Sequence, residues 1–310
     1  MDERFVKPRL VFSRCFYERT RYDGGEIKDE IIERLKPFVE AILVCPEVEI
    51  GLPIPRPKVH IVLERHTSEK RLIQEGTGID LTERMRNFCK AYLDNLPKVD
   101  GFILKAKSPS CGLGQAKYYR EGRIAGKTYG FFAEEVRKLY PYHPAIDEGR
   151  LKDRDLREHF LTQIFSLAEL RHLIANPSSK GLVEFHTKHK YLLLAISQRE
   201  LQNLGRLVAS GTISFEEKLK QYEKGFRVAL SKRGTRKRHY NALLHIIGHF
   251  SKRLNRGEKI YLHHVLEKFK KGVLPLWFVR EMLKTYALRF ELDYLLKQSY
   301  LYPFPEELAF

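Results

Sequence analysis

The sequence predicts an α/β N-terminal domain with a mainly parallel open sheet, followed by an all-α helical C-terminal domain. Short strand-like runs alternate with helical patterns through about residue 150. From Asp153 onward, long helical patterns follow one another without strands between them. The charge balance changes at the same place: residues 1–150 hold 27 Lys and Arg against 23 Asp and Glu, and residues 151–310 hold 29 against 16. A chain of 310 residues has room for two such domains, taken as 1–150 and 151–310.

The strand candidates are RLVFS (9–13), EAILV (40–44), VHIVL (59–63) and GFILK (101–105), each short and rich in β-branched or aromatic residues. Between them IKDEIIERLKPFV sets Ile27, Ile31, Leu35 and Val39 on one helical stripe. DLTERMRNFCKAYLDNL does the same with Leu81, Met85, Phe88, Tyr92 and Leu96, and Asp80 with Glu83 resembles a capping box. A further helix is expected from about Gly130 to Tyr140. Strands alternating with helices imply parallel pairing through crossovers. YPYHPAIDEGRLKD (140–153) reads as the joint between domains. Seven helical stretches follow, punctuated by NPSSKG, SGT, RGT, NRGE and GVLP.

Hydrophobic content of 43% and charged content of 31% describe a folded globular chain rather than a disordered one. The charged start, MDERFVKPRL, lacks a signal-peptide core, and no apolar run is long enough to span a bilayer, so a cytoplasmic protein is expected. Four irregularly spaced cysteines are too few for a disulfide framework at this length. A net charge of +17, concentrated in the second half, favours a polyanionic partner such as nucleic acid.

Three of the cysteines share one context. Cys15 follows LVFSR, Cys45 follows AILV, and Cys111 follows GFILKAKSPS, each at or beyond the C-terminal end of a predicted strand. In an open α/β sheet the loops beyond those ends converge, so three thiols distant in sequence can meet there. Three thiolates suit either a zinc with one open position or a cubane iron–sulfur cluster with one iron left unligated. Cys89, beside the apolar stripe of a helix, reads as core. Glu47 stands two residues after Cys45, Ser108 and Ser110 precede Cys111, and RYDGG places Arg21 and Asp23 on a turn after Cys15. A carboxylate there can move a proton and a hydroxyl can position a substrate. The GLG after Cys111 offers backbone N–H groups to an anion. His186 with His189 and His245 with His249 have helical spacing, but no accompanying carboxylate motif makes either pair a metal site. Trp277 is read as core.

Taken together, RYDGG, VCPEVEIGLPIPRP, GTGIDLTERM and GFILKAKSPSCGLG resemble the thiouracil desulfidase (TudS) family over roughly residues 7–148. EGRLKDRDLREHF and EFHTKHKYLLLAISQRELQNLGRLVA resemble the YbgA-type helical domain, over about 153–310. The fused pair is similar to desulfidases acting on 4-thiouridine in tRNA. The resemblance implies a 4Fe-4S cluster held by Cys15, Cys45 and Cys111, a thiolated nucleobase whose sulfur binds the open iron, and catalytic roles for Glu47 and Ser108. The sequence departs from the family at FSRCFYERT, where Arg14 and Phe16 flank the first cysteine. A tRNA partner fits the basic helical half. SKRGTRKRHYN supplies Lys232, Arg233, Arg236, Lys237 and Arg238. Lys105, Lys107, Lys117, Arg120, Arg123 and Lys127 surround the Cys111 turn, with Tyr118 and Tyr119 available to stack a base.

Overall fold

The computed structural model describes residues 4–64 and 69–309. It divides into two compact units, Lys7–Phe160 and Leu161–Ala309, the second also holding residues 4–6. Among the described residues the first unit contains strands β1 (Arg9–Ser13), β2 (Glu40–Val44), β3 (Val59–Leu63), β4 (Lys70–Gln74), β5 (Gly101–Ile103), β6 (Ala116–Arg120), β7 (Arg123–Thr128) and β8 (Ala145–Ile146). Its helices are α1 (Glu30–Leu35), α2 (Pro46–Glu49), α3 (Thr82–Asp94), α4 (Phe131–Leu139) and α5 (Glu148–Leu151).

The main sheet runs β2-β1-β5-β8 and is parallel throughout, as its apolar strand sequences require. Leu10, Val11 and Phe12 of its central strand are fully buried. Because β1, β2 and β5 are parallel neighbours, their C-terminal ends share one edge, and the three cysteine-bearing segments all leave from it.

A second four-stranded sheet, β4-β3-β6-β7, was not foreseen. VHIVL forms β3 as expected but pairs there, antiparallel to β4 and parallel to β6. Strands β4, β6 and β7 escape a reading by apolar runs because they are rich in Lys and Arg, and β7 is mostly exposed. The β6–β7 hairpin turns at Glu121 and Gly122, both at positive φ (49° and 74°), as a two-residue hairpin turn requires. The expected joint at 140–153 is no linker, since β8 and α5 lie in it and β8 extends the main sheet.

Two helical stripes shift. In α1 the buried positions are Ile32 and Leu35, because the helix starts at Glu30 behind Asp29, whose side chain accepts from Ile31 N and Ile32 N. In α3 the buried line is Met85, Cys89 and Leu93, while Phe88 and Tyr92 lie at its margin. The Asp80–Glu83 capping box does not form: Asp80 accepts instead from Thr82 N and pairs with Arg71. Cys89 is core, as read.

The remaining helices are α6 (Arg154–Ala175), α7 (Ser179–Lys188), α8 (Lys190–Ile196), α9 (Gln198–Ala209), α10 (Phe215–Leu230), α11 (Arg236–Gly248), α12 (Arg256–Lys270), α13 (Leu276–Arg289) and α14 (Asp293–Leu296). Three starts fall in the predicted punctuation, at Ser178, Thr235 and Asn255, and Ser197 and Ser214 cap two more; each caps a first turn with its side chain, and Asn255 with Glu258 forms a capping box. Fully buried Tyr222, Phe226, Phe250 and Leu283 anchor this core. Trp277, expected inside, is half-buried at the start of α13 and outside it. No helix of the described residues is long and apolar enough to cross a membrane.

Candidate functional site

Beyond the carboxyl edge of the main sheet lies a cavity of about 400 Å³ that brings together Cys15, Cys45 and Cys111 with Glu47, Lys107 and Ser108. Cys15 sits in a 3₁₀ turn (Arg14–Phe16) continuing β1, and Cys45 is the cap residue between β2 and α2. Cys111 arrives on the turn after β5. That turn closes through Gly112 N donating to Ser108 O at 2.9 Å, and a Cβ on Gly112 would stand 2.6 Å from the same oxygen. A Cβ on Gly130 would come within 2.4 Å of Ser110 O, so the turn docks against the start of α4 only because that position is glycine. The N–H groups of Gly112 and Gly114 are spent on Ser108 O and Gly112 O, which removes the expected anion cradle.

All three thiols are shifted toward their neutral form. Burial pushes Cys15 up to about 12, with the Cys45 sulfur adding to the rise and Lys105 opposing it. Burial also raises Cys45, against which Arg56 acts, and raises Cys111 furthest, with Cys15 and Cys45 contributing. The mutual repulsion places the three sulfurs within one electrostatic neighbourhood. Among the described residues no group of three or more His, Cys, Asp or Glu side chains is disposed to hold a single metal ion.

Glu47 is clasped at both oxygens. Arg56 Nε and Nη2 donate to Oε2 at 3.0 and 2.8 Å, and Ser110 Oγ donates to Oε1 at 3.0 Å. Arg56, whose side chain is 2% exposed, also donates to Thr20 O at 3.1 Å and stands 3.9 Å from Cys45 Sγ. Sequence reasoning missed Arg56, although IPRP lay inside a motif already singled out. An arginine between two prolines in an apolar stretch was the available signal. Ser108 Oγ accepts from Ser110 N at 3.1 Å and Cys111 N at 3.0 Å, which leaves its own hydrogen to donate.

The basic residues are less free than their number suggests. Arg14 pairs with Glu49, Arg21 with Asp23 and Lys105 with Glu148, so the atypical Arg14 is neutralised at the cavity wall, while Phe16 is core. Lys107 makes no ion pair among the described residues and is exposed at positive φ (62°). Lys117, Arg120, Tyr118 and Tyr119 do not line the cavity; they lie on β6. In the second unit Arg236 Nη1 donates to Phe269 O and Arg238 Nη1 to Ile196 O, so these two guanidinium groups satisfy backbone carbonyls. Arg233 and Lys237 remain exposed without a hydrogen bond or ion pair among the described residues. The histidines are hydrogen-bonding groups: buried His189 meets Glu169 and Ser299, half-buried His186 meets Tyr222 Oη, and exposed His249 meets Tyr191 Oη.

A cysteine-lined cavity at the carboxyl edge of a parallel sheet, with a clasped carboxylate and a hydroxyl donor on its wall, is the candidate active site of the α/β unit. Residues 10–148 match the family model of 2-thiouracil desulfurase, and residues 190–305 match the family model DUF1722. It is 29% identical to YbgA of Escherichia coli (strain K12) over 143 residues, covering 45% of this chain and 85% of that one. It is also 29% identical to YbbK of Bacillus subtilis (strain 168) over 116 residues, covering 34% of this chain and 72% of that one. The solved [4Fe-4S]-dependent thiouracil desulfidase TudS aligns at 27% identity with a TM-score of 0.36, covering 49% of this chain and 97% of that structure.

Proposed function

We propose that this chain is a 4Fe-4S-dependent desulfidase that replaces the thiocarbonyl sulfur of 4-thiouridine in tRNA by oxygen, yielding uridine and sulfide. The observation that carries the reading is the convergence of Cys15, Cys45 and Cys111 with Glu47 and Ser108 on one cavity of a 2-thiouracil desulfurase domain. The donor set fits the cluster. Three thiols arranged around a cavity suit the corners of a cubane, and Lys105 and Arg56 favour the thiolates of Cys15 and Cys45. Thr20 Oγ1, buried at the same cavity with no partner among the described residues, has a hydrogen bond to give. With three thiolate ligands the cluster would offer an open iron to a soft sulfur atom.

The remaining chemistry falls to side chains. The overall exchange consumes one water: its oxygen becomes the ring carbonyl, and the sulfur leaves as hydrogen sulfide. Glu47, fixed between Arg56 and Ser110, keeps a lone pair of Oε1 to take the proton of the attacking water. Ser108, its lone pairs occupied by backbone N–H groups, donates to the bound base or the departing sulfur.

For tRNA as the carrier of the base, the β6–β7 hairpin gives physical support. Its register sets Lys117 against Lys127 and Arg120 against Arg123, like charges face to face, an arrangement a polyanion would relieve. Arg233 and Lys237 add unpaired charge on the helical unit. Desulfurisation of a free base is the second reading, favoured by the family's description.

Anaerobic purification should give about four irons and four sulfides per chain, and zinc without iron would overturn the proposal. Sulfide release should be at least 10-fold more efficient, as kcat/KM, from 4-thiouridine tRNA than from 2-thiouracil. Combined Arg233→Glu and Lys237→Glu should erode that preference and flatten its salt dependence. Turnover of the base with tRNA untouched would move the protein to the second reading.

A further inference from the structure

The second sheet has two unlike faces, because alternate residues of a strand point to opposite sides. Val59, Ile61, Leu72 and Ala116 point one way and are buried in the core of the first unit. Tyr118, opposite Ile61, goes with them, and a Cβ on Gly126, its partner on β7, would stand 2.7 Å from the Tyr118 ring. The registers put the intervening residues on the other face. These are Arg71 and Ile73 of β4, His60 and Val62 of β3, Lys117 and Tyr119 of β6, and Ile124 and Lys127 of β7. There the half-buried Tyr119 ring meets His60 edge to face, at 4.9 Å between centroids. None of Val62, Ile73, Tyr119 and Ile124 packs into a hydrophobic core, and Ile124 is 55% exposed.

Charge on this face is graded across the strands. Toward β4 it is balanced, since Arg71 pairs with Glu64 and Asp80, and His60 with Glu75. Toward β7 it is not. Residues 117–127 carry Lys117, Arg120, Arg123 and Lys127 against Glu121 alone. Lys117 and Lys127, opposed on the open face, are exposed and make no ion pair among the described residues. Arg120 lies 5.9 Å over Tyr118 on the buried side, and among the described residues no cation covers the Tyr119 ring. An acidic peptide would use the lysines and leave the ring idle. A single nucleic-acid strand uses both, with phosphates on the lysines and a base on the ring. A duplex keeps its bases stacked away from such a ring. The face also adjoins the candidate active site: Ala116, where β6 begins, lies so close to the Cys111 turn that a Cβ on Gly112 would stand 3.2 Å from its own Cβ.

We propose that the open face of the second sheet binds single-stranded RNA, a base stacking on Tyr119 beside His60 and the flanking phosphates meeting Lys117 and Lys127. The inference deepens the tRNA reading and rests on it for the identity of the RNA. Binding is therefore measured apart from turnover, by fluorescence anisotropy of the full chain with a labelled single-stranded RNA, the same sequence as a duplex, and 4-thiouridine tRNA. Tyr119→Leu keeps an apolar side chain beside His60 and removes the ring. It should weaken single-stranded RNA about 10-fold, while Tyr119→Phe, which keeps the ring, should bind as the parent does. Lys117→Gln with Lys127→Gln should weaken it as well and reduce the slope of log affinity against log salt by about 1.4. Indifference to Tyr119→Leu, duplex RNA bound as tightly as the single strand, or no binding of either would overturn the proposal. So would a concentration-dependent dimer that Tyr119→Leu dissociates, which would give the face to a second copy of the chain. If Tyr119→Leu weakens RNA binding but the parent leaves thiolated tRNA unreacted, the sheet face stands and the tRNA reading falls. If thiolated tRNA reacts and Tyr119→Leu binds it as the parent does, the tRNA reading stands and the sheet face falls.

Discussion

Arg56 concentrates the physics of the site in one side chain. It is buried, gives two N–H groups to Glu47 Oε2, a third bond to Thr20 O, and lies within reach of Cys45 Sγ. A lysine keeps the charge but cannot make a two-donor clasp, so Arg56→Lys should leave the carboxylate loosely aimed. Arg56→Gln removes the charge as well and leaves a nearly buried carboxylate without its partner, at a cost of about 3–5 kcal/mol in stability. For Arg56→Lys we expect full iron content and an unaltered KM, with kcat down about 10-fold. For Arg56→Gln we expect a lower melting temperature as well. Iron analysis, thermal melting and steady-state kinetics read these separately, and an unaltered kcat in Arg56→Lys would remove the residue from the mechanism. The three cysteines and Glu47 could be located from sequence because each follows a recognisable strand end. Arg56 could not, because its importance lies in which carboxylate it meets, and the pairing at 2.8 Å is a fact of tertiary structure.

At the scale of elements, the turn carrying Ser108, Ser110 and Cys111 is held by close backbone approaches rather than by side-chain packing. Phe131 N donates to Pro109 O, and Phe132 N and Ala133 N donate to Ser110 O, so the first turn of α4 bonds directly to the turn before Cys111. Gly130 makes that approach possible. Gly130→Ala would drive a methyl group into Ser110 O and Gly112 N and push the turn outward, carrying Cys111 and Ser108 with it. Expected results are low iron occupancy, sulfide release reduced at least 10-fold, and helical content near the parent's by circular dichroism. Normal iron loading would show the turn to be more compliant than this geometry allows. Strands β1 and β5 of the main sheet were legible because full burial imposes continuous apolar runs, as in Leu10, Val11 and Phe12. The second sheet was not, since a half-exposed strand such as KRLIQ carries only Leu72 and Gln74 as buried positions and looks like a helix surface or a loop. The helical starts were legible because Ser, Thr and Asn at a cap announce themselves locally.

The whole molecule divides its titratable groups unevenly, and this gives the second unit a distinct response to pH. His239 is pushed down to about 4 by burial and by the nearby Arg236 and Arg233 charges. Burial also lowers His186, His189 and His249, all in the same unit. Folded-state values below the unfolded value of about 6.5 mean that the unfolded chain takes up protons more readily. The contribution of these histidines is therefore fully present above about pH 6.5 and lost as pH falls toward 4. For His239 alone the loss is on the order of 3 kcal/mol by pH 4. Urea denaturation followed by helical circular dichroism should show a midpoint falling steadily from pH 6.5 to pH 4.5, with His239→Gln flattening the slope. Its ring accepts or donates one bond, to Tyr300 Oη at 3.1 Å, which a glutamine amide can replace. A midpoint that rose or stayed level over this interval would show that these imidazoles are protonated in the folded protein. That result would change the charge the helical unit presents to a polyanion, since four additional cations would then join Arg233 and Lys237.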